Sequence, residues 1–270
     1  MNITLLRTAI LGLCLTTLAA GCGGGGGDGD GGSSGLSTNE CGRLGLTAKI
    51  INGTECADTG SPVVLIQLYL GNGTLALCSG TMVTPTQVLT AAHCFTSGDV
   101  QAASISENGR EVFARSVAVH PGVDEDASGN IFNDAAILNL ERTVSLRTLP
   151  VIASAKVESG DTIAIYGYGL DQDGELGVLR SGSMLVSDVT PNHIFSFFEG
   201  DGSNTCQGDS GGPAILTTSV NGATVTGVVG MTSTGTIVGC GEGDLSLFAN
   251  AQESSILNFI RQQAPGTDIR

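Results

Sequence analysis

The stretch CQGDSGGP, residues 206–213, sets one serine among residues chosen for more than a turn. Gly208, Gly211 and Gly212 surround Ser210, and Asp209 adds a carboxylate beside it. A turn accounts for the glycines, because they reach backbone conformations that other residues avoid. It does not account for the carboxylate. A neutral serine is a poor nucleophile. It needs a base to take its proton, and the base needs a third group to fix its tautomer and stabilise the imidazolium.

Two upstream segments supply those residue types. LTAAHC, residues 89–94, places His93 at the end of an apolar run. NDAAIL, residues 133–138, places Asp134 at the start of a strand that reads as buried. A carboxylate there is costly unless it has a hydrogen-bond partner. The chain order is His93, Asp134, Ser210.

In that order, TAAHC, DAAIL and GDSGGP resemble the trypsin/chymotrypsin family of serine proteases, from Ile50 to about Ile260. CSG at 78–80 and GYG at 167–169 agree with it. The resemblance implies an all-β fold of two packed antiparallel β-barrels with a C-terminal helix and the active site between the barrels. His93 and Asp134 would come from the first barrel and Ser210 from the second, with the boundary between about Arg142 and Ser159. By the same resemblance His93 is general base and then general acid, Asp134 orients it, and Ser210 attacks the scissile carbonyl. The N–H groups of Gly208 and Ser210 form the oxyanion hole. The implied activity is endopeptidase cleavage of proteins or peptides through an acyl-enzyme, with no cofactor.

One segment departs from the family pattern. Where Ser-Trp-Gly is usual, the sequence near Gly230 reads GMT, residues 230–232. The serine expected to bond the catalytic aspartate is then missing, as is the tryptophan expected to flank the substrate, so catalysis should survive while substrate binding is altered. This is the only feature favouring the rival reading, a catalytically silent member of the fold that serves as a surface binding module. An esterase of the α/β-hydrolase type fails on chain order, since that fold places its serine first and its histidine last.

The pocket is read by the same resemblance. Asn204, six residues before Ser210 and followed by Thr205, would lie at the base of the primary specificity pocket. A desolvated substrate Arg or Lys without a counter-ion is costly, so Asn204 predicts better acceptance of neutral residues. Asp244, in GEGDLS at 241–246, would line the wall; if its carboxylate points inward, basic specificity returns.

KIING, residues 49–53, resembles the family's activation site. Cutting after Lys49 would free an ammonium on Ile50 to pair with Asp209 and order the oxyanion loop. An enzyme that disfavours Lys would need a separate activating protease.

The chain has 270 residues and a net charge of −15, which argues against nucleic acid as a partner. Short apolar runs separated by turn signals predict strands at 63–70, 112–119, 135–140, 162–169, 183–189, 213–218 and 223–231. Only the end reads as a helix, with Asn250 as its cap and Ile256, Phe259 and Ile260 on one face.

Residues 1–21 read as an export signal, with Arg7 before an apolar run too short for a typical membrane span. LAAGC, residues 18–22, resembles a bacterial lipoprotein signal, with Cys22 carrying lipid and anchoring the protein to a membrane on the periplasmic or cell-surface side. An ordinary secretory signal, leaving Cys22 as a free thiol, is the alternative. Residues 23–35 hold little but Gly, Asp and Ser and read as a solvated tether, so 22–49 form tether and propeptide and 50–270 the protease domain.

Six cysteines then remain: Cys41, Cys56, Cys78, Cys94, Cys206 and Cys240. An even number in an exported chain argues for disulfides, whose pairing spacing alone does not give. The family resemblance implies Cys78–Cys94 and Cys206–Cys240, leaving Cys41 for Cys56. That last loop is worth about 3 kcal/mol in the chain-entropy model. His120, in HPG, and His193 form no metal-ligand spacing with Cys or His, so no metal site is expected.

Overall fold

Alternation of buried and open positions builds the first strand, β1 (Val63–Leu70), which buries Val64, Ile66 and Leu68 on one face. The structure is a computed structural model and describes residues 40–44, 55–200, 202–237 and 239–270. A short helix, α1 (Glu40–Arg43), precedes β1. After it come β2 (Leu75–Thr84), β3 (Gln87–Thr90), α2 (His93–Thr96), β4 (Val100–Glu107), β5 (Arg110–Val119), β6 (Asp124–Glu125), β7 (Ile131–Phe132) and β8 (Ala136–Leu140). The later part holds β9 (Thr162–Gly167), β10 (Arg180–Leu185), β11 (Asp188–Val189), β12 (His193–Phe197), β13 (Pro213–Val220), β14 (Ala223–Gly235), β15 (Leu245–Asn250) and α3 (Ser254–Gln263).

Strands β1, β2, β3, β8, β5 and β4, in that spatial order, close into an antiparallel barrel. The second unit is a seven-stranded antiparallel sheet ordered β10-β9-β13-β14-β15-β12-β11. It is a half-barrel whose edge strand β10 is tied to β12, next to the other edge, by Ser196 Oγ, which donates to Leu185 O at 2.7 Å, while Ser187 N–H, donating to Phe195 O at 2.8 Å, extends the pairing of β11 with β12. The all-β expectation holds. Strands β2, β3, β4, β6, β7, β12 and β15 were not expected from the sequence. β2 (LALCSGTMVT) and β4 (VQAASISE) are rich in small and hydroxyl residues, which blurs the alternation that marks a strand.

The helix expectation is corrected at its start. α3 begins at Ser254, and its cap is Glu253, whose carboxylate accepts from Ser255 N–H at 2.6 Å. Asn250 instead ends β15 and accepts from Gln252 N–H through its side chain. Ile256, Phe259 and Ile260 are buried together, as the 3.6-residue period requires.

That helix face completes a core shared by the two sheets. Val83, Leu89 and Ile137 from the first barrel pack with Val228, Met231 and Ala249 from the second sheet and with Ile256 and Phe259. Truncating a buried Ile or Leu to Ala in such a core typically costs about 2–5 kcal/mol. The shared core matters for function because it fixes β3 and β8, which lead to His93 and Asp134, against β14.

The described residues hold three disulfides: Cys78–Cys94 and Cys206–Cys240, the pairs that the family resemblance implied, and Cys41–Cys56, the pair left over. Residues 1–39, with Cys22, and residues 45–54, with Lys49 and Ile50, lie outside the described residues. Among the described residues no helix is long and apolar enough to cross a membrane.

Candidate active site

His93 opens α2, just past β3, and Asp134 sits just before β8, the strand paired with β3. Strand pairing therefore brings the two residues together. Asp134 is fully buried, and the turn before it is made by Asn133 at φ 50°, a left-handed conformation that Asn tolerates. His93 Nδ1 lies 2.7 Å from Asp134 Oδ2, and His93 N–H donates to Asp134 Oδ1 at 2.9 Å. With its Nδ1 proton committed to the carboxylate, the neutral imidazole keeps a lone pair on Nε2. The ring remains partly open, with a side-chain exposure of 17%.

The expectation of a missing serine is overturned. Ser233 Oγ donates to Asp134 Oδ2 at 2.5 Å. Gly230 and Met231 lie deeper in the sheet, paired with Asn250 and Ala249. Between Thr232 and Thr234 the pairing of β14 with β15 slips, so that Ser233 is the extra residue of a bulge. A bulge of this kind re-aims a side chain, here into the carboxylate. The readable signal was Ser-Thr-Gly at 233–235, which keeps both ends of the Ser-Trp-Gly pattern with Thr in the middle.

Burial pushes the Asp134 carboxyl up. The hydrogen bond and charge of the His93 ring, the Ser233 hydroxyl and the His93 N–H outweigh it, and the net shift is below the ordinary carboxylate value. Asp134 is thus held ionised beside the ring it orients.

The serine loop is fixed at nearly every peptide. Leu170 N–H donates to Gln207 O at 2.9 Å, Gly212 N–H to Asp209 O at 2.7 Å and Ser79 N–H to Ser210 O at 2.8 Å. Asp209 N–H donates to Cys206 O at 3.0 Å, and Gly211 N–H donates to Thr232 O at 2.7 Å. Among the described residues, the N–H groups of Gly208 and Ser210 have no acceptor. Gly208 adopts φ 100°, and a Cβ there would stand 2.9 Å from Gly169 Cα, so only glycine fits the turn. Ser210 also abuts the histidine loop, since Cys94 Sγ lies 3.9 Å from Ser210 O.

The Asp209 carboxylate turns away from the loop's open face. It accepts from Gly169 N–H at 2.8 Å and Cys206 N–H at 2.9 Å, packed so closely that a Cβ on Gly167 or Gly169 would collide with it. Desolvation raises its pKa to about 6, against those two bonds and the charge of Arg180. Arg180 in turn lies 2.6 Å from Asp171 Oδ2 and 3.6 Å from Glu55 Oε1.

Asn204, Thr205 and Asp244 come together. Asn204 Nδ2 donates to Asp244 Oδ2 at 2.9 Å and to Cys240 O at 3.1 Å. Ser246 Oγ donates to Asn204 Oδ1 at 2.7 Å, which leaves Thr205 Oγ1 as donor to Ser246 Oγ at 2.9 Å. Asp244 is 1% exposed, and its Oδ1 also accepts from Thr236 N–H at 2.8 Å and Ile237 N–H at 2.9 Å. All of these donors are neutral. Sequence reading gave no role to Ser79, inside CSG, to Ser246, at the end of GEGDLS, or to Thr236, because the partners of their hydroxyls lie elsewhere in the chain.

The two remaining histidines brace the loop that carries Asp134. His120 Nδ1 accepts from Gly122 N–H at 3.1 Å, and its ring packs on Phe259. His193 Nε2 donates to Ile131 O at 2.8 Å. Among the described residues no group of three His, Cys, Asp or Glu is placed to hold a metal ion.

Comparison with known proteins identifies the family and the fold. Residues 50–260 match the family model Trypsin. The chain is 28% identical over 194 residues to chymotrypsin of Phaedon cochleariae, covering 62% of this chain and 69% of that protein. It is 30% identical over 235 residues to brachyurin of Leptuca pugilator, covering 79% of this chain and 98% of that protein. The fold is similar to a solved structure of HL collagenase, with a TM-score of 0.61 and 22% identity over 80% of this chain and 99% of that one.

Proposed function

The chain belongs to the trypsin family of serine proteases, and from that premise we propose that it is an endopeptidase working through His93, Asp134 and Ser210. The observation that carries the reading is the His93 Nδ1–Asp134 Oδ2 bond of 2.7 Å, which leaves Nε2 as the base. His93 Nε2 takes the proton of Ser210 Oγ as that oxygen attacks the scissile carbonyl. The oxyanion of the tetrahedral intermediate is received by the N–H groups of Gly208 and Ser210, which have no acceptor among the described residues. His93 returns the proton to the leaving amine, and an ester remains on Ser210. Water, deprotonated by the same nitrogen, then hydrolyses the ester.

In this reading Asn204, Thr205 and Asp244 form the base of the specificity pocket. A buried carboxylate bonded to Asn204 and held by neutral donors favours the inward reading of Asp244, and with it substrate Lys or Arg. The earlier expectation of a neutral pocket rested on Asn204 alone. A pocket that takes Lys also makes self-cleavage after Lys49 feasible, with the Ile50 ammonium as partner for Asp209. Lipid on Cys22 would hold the enzyme at a membrane surface outside the cytoplasm.

A fluorophosphonate probe tests the activity. Protein cut after Lys49, with the Cys41–Cys56 bridge intact, should be labelled on Ser210, and Ser210→Ala should not be labelled. Failure of correctly processed protein to label supports the silent binding module, whose sequence argument was the altered GMT segment; Ser233 supplies the serine that segment lacked, while the tryptophan of the family pattern stays replaced, by Thr234.

A further inference from the structure

We propose that Ser79, on β2 of the first barrel, is a positioning residue for the oxyanion loop; the proposal rests on the catalytic reading of Ser210. Ser79 is fully buried and all four of its polar groups are used. Its Oγ–H donates to Gly208 O at 2.8 Å, and its N–H donates to Ser210 O at 2.8 Å. Its Oγ accepts from Tyr168 N–H at 3.0 Å, and its carbonyl accepts from Thr90 Oγ1–H at 2.8 Å.

One side chain and its own backbone thus hold both carbonyls that flank Asp209. Each carbonyl belongs to a peptide plane that borders an oxyanion donor. The plane after Gly208 is held at one end by Ser79 Oγ and at the other by the Asp209 N–H bond to Cys206 O. The plane after Ser210 is held by Ser79 N–H and by the Gly211 N–H bond to Thr232 O. With both planes locked, the N–H of Ser210 between them has one direction; the plane that carries the Gly208 N–H borders the first of them and is held at its carbonyl by Leu170 N–H, which donates to Gln207 O at 2.9 Å. Oxyanion stabilisation depends on donors that need no reorganisation as charge develops.

The Ser79 hydroxyl is also the joint between three segments. It spans the loop at 208–210, the first barrel, and Tyr168, which lies between the two glycines packed on Asp209. Removing it leaves a buried carbonyl and a buried N–H without partners, and the peptides carrying them gain the freedom to turn toward other ones. A hydroxyl that acts at one remove from the oxyanion should have a smaller effect than deletion of a donor itself, which costs about 100-fold or more.

The test compares Ser79→Ala, Ser79→Thr and Thr90→Val with wild type, each the full chain cut after Lys49 with the Cys41–Cys56 bridge intact, with melting curves to confirm folding. Ser79→Ala should lower kcat on peptide amides roughly tenfold with KM within about twofold, and weaken a peptide boronic acid by the same factor as kcat/KM falls. Its fluorophosphonate labelling should slow in parallel. Ser79→Thr, which keeps the hydroxyl, should recover most of kcat. Thr90→Val removes only the bond to Ser79 O, so it should lower the melting temperature while leaving kcat within about threefold. Wild type that is not labelled on Ser210 overturns the catalytic reading and the proposal together. Labelled wild type with Ser79→Ala labelled at the same rate overturns the proposal alone, as does a kcat loss in Ser79→Ala that Thr90→Val reproduces.

Discussion

Ser233 Oγ lies 2.5 Å from Asp134 Oδ2, across 99 positions of sequence, and it joins the second sheet to the pair that the first barrel supplies. Hydrogen bonds to charged groups contribute about 1.5–3 kcal/mol. Ser233→Ala should therefore reduce kcat/KM about tenfold, and more for kcat than for KM. It should also raise the Asp134 pKa, because one of the bonds that hold it low is gone. A depressed carboxylate pKa contributes stability above the unfolded value that is lost as pH falls through the folded one. Acid unfolding of Ser233→Ala should thus begin at higher pH than that of wild type. Coincident acid transitions would remove the role given to Ser233.

Asp209 has the opposite sign. Its carboxyl is raised to about 6 by desolvation, above the usual 3.8. A raised pKa gives stability that is fully present below the unfolded value and lost as pH rises through the folded one. In the uncut chain this amounts to about 3 kcal/mol lost between pH 4 and 7. Asp209→Asn should flatten that fall. After cutting at Lys49 the relation should invert, with Asp209→Asn the less stable protein at pH 7, because the Ile50 ammonium has lost its partner. Urea unfolding of cut and uncut forms at the two pH values measures both slopes. The same sign in cut and uncut protein would rule out the pairing.

The bond of 2.9 Å from Asn204 to Asp244 decides the expected specificity. Wild type should cleave after Lys and Arg. Asp244→Asn should lose about 100-fold or more of kcat/KM on those substrates, since removing one partner of a buried ion pair costs about 3–5 kcal/mol. Cleavage after neutral residues should change little. A wild-type preference for neutral residues in a peptide-library profile would return the pocket to the Asn204 reading.

The Cys41–Cys56 bridge has a physical consequence for activation. It spans Lys49, so the two pieces made by a cut there stay joined. A non-reducing gel should show one band at the uncut mass, and a reducing gel should show the protease domain alone. Release of the domain without reductant would contradict this.

The candidate site was legible because its motifs are local. His93, Asp134 and Ser210 each lie within a short motif, and short motifs keep their residues together whatever the rest of the chain does. The helix face at Ile256, Phe259 and Ile260 was legible for the same reason, since a 3.6-residue period shows in the sequence itself. The Asn250 cap was misplaced because Asn also closes strands, and only the extent of β15 distinguishes the two.

The sequence by itself determined the fold class, the order of the three motif residues and, through the family pattern, the cysteine pairing. The tertiary structure alone decided that Ser233, not a residue of GMT, reaches Asp134; that Asp244 meets Asn204; and that Ser79 holds the serine loop. The physical reason is common to all three. A bulge adds one residue to a strand and changes the direction of a side chain, so Ser-Thr-Gly at 233–235 is told from GMT as the matching segment only once the strand pairing is known. Hydroxyls and carboxylates that pair across 40 to 129 positions depend on strand register and on the packing between sheets, both of which are set by the whole chain.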